Sequence, residues 1–208
     1  MHRQNIIVFG LLVSVFLGVV ATAAGLTEEG EPLGSPTSNL TLTSTTIGSD
    51  LPAAGESPTA PDFGLGTWIN SEPLTLRGLR GRVVLVEFWT FGCYNCRNTL
   101  PFVKRWHERY SNKGLTIVGV HSPEFDSEKK IENVRRQVAS LGIRFPVVTD
   151  NKYKTWRAYK VEAWPTIFVL DKTGRARWQH IGEGRYEETE QVIQKLLTEG
   201  TYASNKKE

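Results

Sequence analysis

Cysteine is scarce in this chain, which has 208 residues and only two cysteines. Two thiols cannot cross-link a small scaffold through several disulfides, and they fall short of the four ligands that a structural zinc site requires. The composition is otherwise ordinary, with 39% hydrophobic and 23% charged residues. It therefore excludes a collagen-like chain, a protein with many membrane spans and a chain that is disordered throughout. The net charge of +3 does not indicate an arginine-rich nucleic-acid binder, so we expect no nucleic-acid partner.

Basic and aromatic residues are missing from residues 25–62, which contain no Lys, Arg, Phe, Trp or Tyr. The segment is acidic and rich in Ser, Thr, Pro and Gly. Such a sequence buries too little apolar area to offset an ordering entropy of about 1–2 kcal/mol per residue. We therefore predict that residues 25–62 form a disordered linker.

The amino terminus is apolar. Residues 6–24 carry no charge and follow the basic residues His2 and Arg3, and they end in a run of small residues, Ala21-Thr22-Ala23-Ala24. A positive start, an apolar stretch and a small-residue end are typical of a secretory signal peptide. The stretch also reaches the ~17–25 residues that span a bilayer. Residues 1–24 are thus either a cleaved signal or a retained membrane anchor. Both interpretations place the rest of the chain outside the cytoplasm and confine membrane contact to this segment.

Residues 63–200 have the alternating pattern of an α/β domain, and residues 201–208 form a polar tail. Strands are predicted at residues 74–76, 82–89, 115–120, 145–148, 166–171 and 175–181. Helices are predicted at residues 98–110, 127–141, 154–159 and 185–197, with Gly142 ending the second of them. Strands separated by helices favour parallel pairing, and a turn at residues 172–174 adds an antiparallel hairpin. We predict one three-layer α/β domain with a mixed sheet.

Both cysteines lie in the segment Cys93-Tyr94-Asn95-Cys96, after a buried strand and at the start of a helix. The unpaired N–H groups and the dipole at a helix amino terminus stabilise an anion. The first thiol is therefore expected to ionise more readily than a free cysteine. We predict Cys93 as the attacking nucleophile and Cys96 as the more buried resolving thiol, the two forming a redox-active disulfide.

Four other interpretations of the cysteine pair are weaker. A structural disulfide would close a very short loop and add only roughly 2 kcal/mol. A zinc site lacks a second cysteine pair, and His107, His121 and His180 show no paired ligand spacing. Covalent haem attachment requires His after the second cysteine, where this chain has Arg97. Two ordinary buried thiols are possible, but such a pair in an exported protein would oxidise. We predict redox chemistry, with no metal and no cofactor.

Residues 88–101, FWTFGCYNCRNTLP, resemble the active-site segment of thioredoxin-fold proteins. The similarity extends to residues 118–125, 164–166 and 182–184 and includes the TlpA-like group and the carboxy-terminal domain of DipZ. The resemblance implies a thioredoxin-like three-layer sandwich with a TlpA-type insertion at residues 120–148. It also implies an exported thiol–disulfide oxidoreductase, often tethered to a membrane.

The resemblance assigns roles to further residues. Pro165 matches the cis-proline beside the disulfide, and Pro101 matches a helix-kinking proline of the family. Glu87 stands where thioredoxins keep a buried acid, and a buried carboxyl there would have a raised pKa suited to proton exchange with Cys96. The alternative for Glu87 is an acid at the strand end that reaches solvent. Glu124 either approaches the site or is a solvated loop acid.

A substrate-binding surface is expected around the dithiol. The residues proposed for it are Trp89, Tyr94, Asn95, Trp164 and Pro165. The Tyr94-Asn95 pair is neither the Gly-Pro of reducing thioredoxins nor the Pro-His of strong oxidants. The pair therefore leaves the direction of electron flow open. The family resemblance favours the reducing direction.

Three functions are consistent with the sequence. The leading one is exchange of disulfides with client proteins, with an upstream membrane thiol reductase as electron donor. The second is a thiol peroxidase, because Thr90-Phe91-Gly92-Cys93 matches the Thr-x-x-Cys core of peroxiredoxins, although Val86 stands where their motif has proline. The third is a non-enzymatic module that binds peptides in the groove near Trp89, Trp164 and Pro165. The alternative for the two tryptophans is that they pack under the active site.

Overall fold

The computed structural model describes residues 57–200. The predicted signal or anchor at residues 1–24, most of the predicted linker and the tail at residues 201–208 lie outside this range. Within it, no helix has the length and apolar character needed to cross a membrane.

Six strands and four α-helices alternate along the described chain. The strands are β1 (Trp68–Ile69), β2 (Val83–Trp89), β3 (Leu115–His121), β4 (Val147–Thr149), β5 (Thr166–Leu170) and β6 (Ala176–Ile181). The helices are α1 (Tyr94–Tyr110), α2 (Ile131–Ser140), α3 (Lys154–Ala158) and α4 (Tyr186–Thr198). Short 3-10 helices lie at Ser111–Lys113 and Asp126–Lys129.

The strands form one mixed sheet in the order β1-β4-β3-β2-β5-β6. β2 lies inside the sheet, and all seven of its residues are buried, as its nearly continuous apolar sequence predicts. β2 pairs with β3 and β3 with β4 in parallel. β5 pairs antiparallel with both β2 and β6. The antiparallel part of the sheet therefore includes the β2–β5 pair as well as the predicted hairpin.

Each face of the sheet has its own core. Alternate residues of β2 point to opposite faces. Leu85 and Trp89 pack with α1, α2 and α4, where Trp106 and Ile193 are also fully buried. Phe88 points to the other face and packs against Tyr159 and Phe168, with ring centroids 5.2 Å and 6.0 Å away. These two cores make the three layers that the sequence predicts.

The strand predicted at residues 74–76 is wrong. The backbone there is not paired in the sheet, and Leu76 N–H instead donates to the Asp62 carboxylate at 2.9 Å. Leu76 is nevertheless buried, in a turn that packs against the second core. The apolar character of residues 74–76 thus reflects packing in a turn and not pairing in a strand. The first strand of the sheet is β1, which pairs antiparallel with β4.

The helix predicted at residues 127–141 is divided in two. Lys130 has extended backbone angles, φ −78° and ψ 117°, and it separates the 3-10 helix Asp126–Lys129 from α2. The division turns Glu128 inward, where it is buried. Gly142 follows α2 with φ +64°, as its predicted role at the helix end requires.

Residues 57–60 belong to the predicted linker but pack on the β5–β6 hairpin. Ser57 O accepts a hydrogen bond from the Arg175 guanidinium. Thr59 forms a bridge with Arg175, and Ala60 N–H donates to Gly174 O at 2.9 Å. Backbone groups make these contacts, so the polar composition of the segment does not oppose them. The folded body thus extends to residue 57, before the predicted boundary at residue 63.

Candidate active site

The carboxyl end of β2 positions both cysteines. After Trp89, residues 90–92 form a short loop that leads to Cys93, the N-cap residue of α1. The Cys93 Sγ accepts a hydrogen bond from Cys96 N–H at 3.2 Å, and so it occupies the place of a capping oxygen. α1 begins at Tyr94, four residues before the predicted start, and both cysteines lie in its first turn. The helix start therefore directs the Cys96 N–H at the first sulfur.

The two sulfurs are in different environments. Both cysteines are free thiols, but Cys93 is half-buried whereas Cys96 is only 2% exposed. Burial, together with a hydrogen bond involving Cys93, raises the pKa of Cys96 far above its ordinary value. Cys96 thus keeps its proton until a nearby base removes it. A bulky disulfide can reach Cys93 first.

Glu87 lies on the face of β2 that packs against α1. Its side chain is 1% exposed, and burial raises its pKa from the ordinary 4.5 to about 8. Glu87 Oε2 has no hydrogen-bond partner among the described residues. When ionised, Glu87 raises the pKa of Cys96, which places the two groups within electrostatic reach of each other. The expected burial and raised pKa are confirmed, and the solvated strand-end alternative is wrong.

Pro165 lies beside the strand that leads to the cysteines. Phe88 pairs with Thr166 in the antiparallel β2–β5 ladder, so Pro165 comes opposite Trp89. The Trp164–Pro165 peptide bond is cis, as the resemblance implies. Pro165 O accepts a hydrogen bond from Gly182 N–H at 2.8 Å, which fastens this turn to the end of β6.

The five residues expected to bind substrate are not equally accessible. Tyr94 is 75% exposed, and Asn95 is also exposed, whereas Pro165 is buried. Trp164 is half-buried, and its Nε1–H donates to Ser122 O at 3.1 Å. Trp89 is 2% exposed because its face of β2 is covered by α1, and its ring lies 5.3 Å from that of His121. Trp89 is therefore part of the core and cannot contact a client, which corrects the prediction.

The sequence offers no signal for the role of Glu128. It lies in a charged run that resembles the solvated face of a helix, yet it is 1% exposed. Its Oε1 accepts a hydrogen bond from Gly92 N–H at 2.8 Å. Its Oε2 accepts from Glu124 N–H at 2.6 Å and from Phe125 N–H at 3.0 Å. Glu124 itself is exposed, in agreement with a solvated loop acid.

Glu128 is ionised despite its burial. Burial alone would raise its pKa, but hydrogen bonds from Phe125 N–H, the Thr90 hydroxyl and two further backbone N–H groups lower it overall. The Thr90 hydroxyl also lies 3.2 Å from His121 Nε2. Burial lowers the pKa of His121 to about 4, so its ring is neutral at physiological pH. The loop that precedes Cys93 is thus supported by neutral His121, the Thr90 hydroxyl and the Glu128 carboxylate.

Three exposed apolar side chains lie on segments next to the dithiol. Tyr94 lies between the cysteines in sequence, and Phe125, which is 57% exposed, lies next to Gly92. Ile181 is 47% exposed and pairs with Thr166, beside Pro165. We call Tyr94, Phe125 and Ile181 the apolar rim.

Comparison with known proteins identifies the family. A model of the AhpC/TSA family matches residues 57–179. The chain belongs to this family. It is 41% identical over 145 residues to Protein DipZ of Mycobacterium tuberculosis, a match that covers 68% of this chain and 21% of DipZ. It is 31% identical over 137 residues to the thiol-disulfide oxidoreductase ResA of Bacillus anthracis, covering 66% of this chain and 76% of ResA. The chain thus spans about a fifth of the length of DipZ and most of ResA.

Solved structures confirm the thioredoxin-like fold of this AhpC/TSA member. A protein from Chlorobium tepidum, described as a thiol:disulfide interchange protein DsbE, is 30% identical with a TM-score of 0.60. The match covers 68% of this chain and 96% of that one. A thiol-disulfide isomerase from Corynebacterium glutamicum is 26% identical with a TM-score of 0.62, covering 70% and 99%.

Proposed function

We propose that this protein is a thiol–disulfide oxidoreductase that reduces disulfides of client proteins outside the cytoplasm. The observation that carries the proposal is the arrangement of two sulfurs over a buried acid. Cys93 is accessible at a helix N-cap, Cys96 is buried one turn further on, and Glu87 has a raised pKa on the same face of the sheet. The family relationship to ResA and to DsbE-type proteins agrees with this chemistry.

The first step is attack of the Cys93 thiolate on a client disulfide. A bond forms between Cys93 Sγ and one client sulfur, and the client S–S bond breaks. The second client sulfur leaves as a thiolate and takes a proton from solvent. N–H groups at the start of α1 stabilise the negative charge on Cys93 before the attack.

The second step releases the client. Glu87 accepts the proton of Cys96, directly or through one bridging water, and the Cys96 sulfur then attacks Cys93 Sγ. A Cys93–Cys96 disulfide forms, and the first client sulfur leaves as a thiolate. Two electrons have passed to the client. A pKa of about 8 suits Glu87 to the role of general base, because such a group works best when its pKa lies near the working pH.

Regeneration requires two electrons and two protons from a second thiol donor. We propose a membrane thiol reductase as that donor, with residues 6–24 holding the protein at the same membrane. Client proteins would dock on the apolar rim and pair with the backbone beside Pro165. The exposure of Tyr94, Phe125 and Ile181 supports such docking.

Redox titration tests the direction of electron flow. We expect a reduction potential close to the ~−270 mV of thioredoxin rather than the ~−120 mV of DsbA. Catalysed reduction of insulin should require both cysteines, and Cys93→Ser should abolish it.

A maleimide that does not cross membranes should label Cys93 in intact cells. A potential near that of DsbA would reverse the proposed direction, and labelling only after lysis would contradict the location.

Membership of the AhpC/TSA family and the Thr-x-x-Cys motif also suggest a thiol peroxidase. In this site, however, Thr90 is fully buried and its hydroxyl is bonded to His121 and Glu128. It is therefore not directed at Cys93, where a peroxide would react. We expect little peroxide consumption by the reduced protein under conditions in which it reduces insulin. The reverse result would favour the peroxidase.

A further inference from the structure

Glu128 joins two segments that are far apart in sequence. One is the loop of residues 90–92 that leads to Cys93. The other is the segment that carries Phe125 and belongs to the connection between β3 and β4. One carboxylate oxygen binds Gly92 N–H, and the other binds Glu124 and Phe125 N–H. The proposed steps of thiol–disulfide exchange do not involve Glu128.

The carboxylate also accounts for the glycine at position 92. A Cβ added to Gly92 would lie 2.5 Å from Glu128 Oε1, closer than real contacts allow. Gly92 is not among the glycines with positive φ, so its backbone does not itself require glycine. The close approach of the Glu128 carboxylate therefore leaves no room for a side chain at this position unless the carboxylate moves.

We propose that Glu128 is a positioning residue for the dithiol. It holds residues 90–92 so that Cys93 stays at the N-cap of α1 with its sulfur against Cys96 N–H. Through its second oxygen it holds Phe125 at the edge of the same site, as one wall of the client surface. The inference rests on the proposed function, since it concerns the reactivity of Cys93 as the attacking thiol.

The geometry requires a carboxylate and not an amide. Both carboxylate oxygens are acceptors, and backbone N–H groups face each of them. A glutamine of the same length has one acceptor oxygen, and its NH₂ group would face an N–H donor. If the Gln oxygen keeps the two bonds to Glu124 and Phe125, then Gly92 N–H loses its partner. Glu128→Gln should thus release the loop before Cys93 while the segment at Phe125 remains ordered.

Two measurements on the reduced full-length chain test the proposal. Amide hydrogen exchange, followed by mass spectrometry, reports the order of residues 90–93. The second-order rate of reaction with oxidised glutathione reports the reactivity of Cys93. For Glu128→Gln we expect exchange in this loop to be about tenfold faster, and the rate with glutathione to be about tenfold lower, because one charge-assisted hydrogen bond is lost. The matched control is Glu132→Gln, an exposed acid in α2, which should change neither value.

A second variant breaks the same contact from the other side. Gly92→Ala leaves Glu128 intact but inserts a methyl group whose carbon would lie 2.5 Å from its Oε1. Gly92→Ala should reproduce both effects of Glu128→Gln. If Glu128→Gln does not fold, the result for Gly92→Ala decides whether the proposal holds. Combining Gly92→Ala with Glu128→Ala should cost less than the sum of the two separate changes, because they remove one interaction.

The proposal is overturned if loop exchange stays at the wild-type rate in the folded variants. It is also overturned if exchange rises while the rate with glutathione does not change. Neither result affects the proposed function. That function fails instead if wild-type Cys93 does not react with disulfides at all.

Discussion

Replacing Glu87 by glutamine should change how the stability of the protein depends on pH. Burial raises the pKa of Glu87 in the folded protein from 4.5 to about 8. Between these values the folded state keeps a proton that the unfolded state has released. The contribution of Glu87 to the free energy of unfolding therefore falls as pH rises through this window, and it is constant below pH 4.5 and above about pH 8.

The expected magnitude follows from the shift. Each pKa unit corresponds to about 1.4 kcal/mol, so the full window is worth about 5 kcal/mol. At pH 7 most of this penalty is already present, about 3 kcal/mol. That is a large fraction of the ~5–15 kcal/mol by which domains are stable. Glu87→Gln has nearly the same shape and no charge, so it should become more stable than wild type as pH rises.

The assay is urea unfolding of the reduced protein at intervals from pH 5 to pH 8.5. We expect the difference in unfolding free energy between Glu87→Gln and wild type to grow by several kcal/mol over this range. Glu162→Gln, a substitution at an exposed glutamate, is the matched control and should give a flat difference. A flat difference for Glu87→Gln would refute the argument, because it would show that Glu87 is ionised in the folded protein at all these pH values.

Three further outcomes are expected. Cys96→Ser should accumulate a mixed disulfide between Cys93 and a client, visible on non-reducing gels, because the resolving sulfur is missing; release of the client at the wild-type rate would contradict the assignment. Phe125→Ala should raise KM for insulin several-fold and leave the rate with oxidised glutathione unchanged. The control is Leu65→Ala, a change at an exposed apolar residue beside α3, which should alter neither KM nor that rate. Burial lowers the pKa of His121 to about 4, so the contribution of this residue to stability should fall by about 3 kcal/mol as pH drops from 6.5 to 4, while the contribution of Glu87 rises over the same range. His121→Gln should lack this contribution, so urea unfolding should show the difference in unfolding free energy between His121→Gln and wild type growing by about 3 kcal/mol as pH drops from 6.5 to 4. A difference that does not depend on pH would contradict the assignment.

Much of the fold was predictable because local sequence determines it. The runs that became β2 and β3 are apolar on both faces, which only interior strands of a sheet accommodate. Gly174 has φ +74° in the predicted hairpin turn, a conformation that few other residues adopt. The break at Lys130 and the turn at Leu76 were not predictable, since both depend on contacts with distant parts of the chain.

For the site, the spacing of the two cysteines after a buried strand predicted that both would lie at the start of a helix, and the family resemblance predicted the buried acid Glu87. The order in which the two thiols act stays a prediction. Only the tertiary structure decided that Trp89 is core and that Glu128, 36 positions from Gly92, supports the loop before Cys93. A charged side chain can be buried only where donors from other segments meet it, and neither composition nor periodicity records where those segments come together.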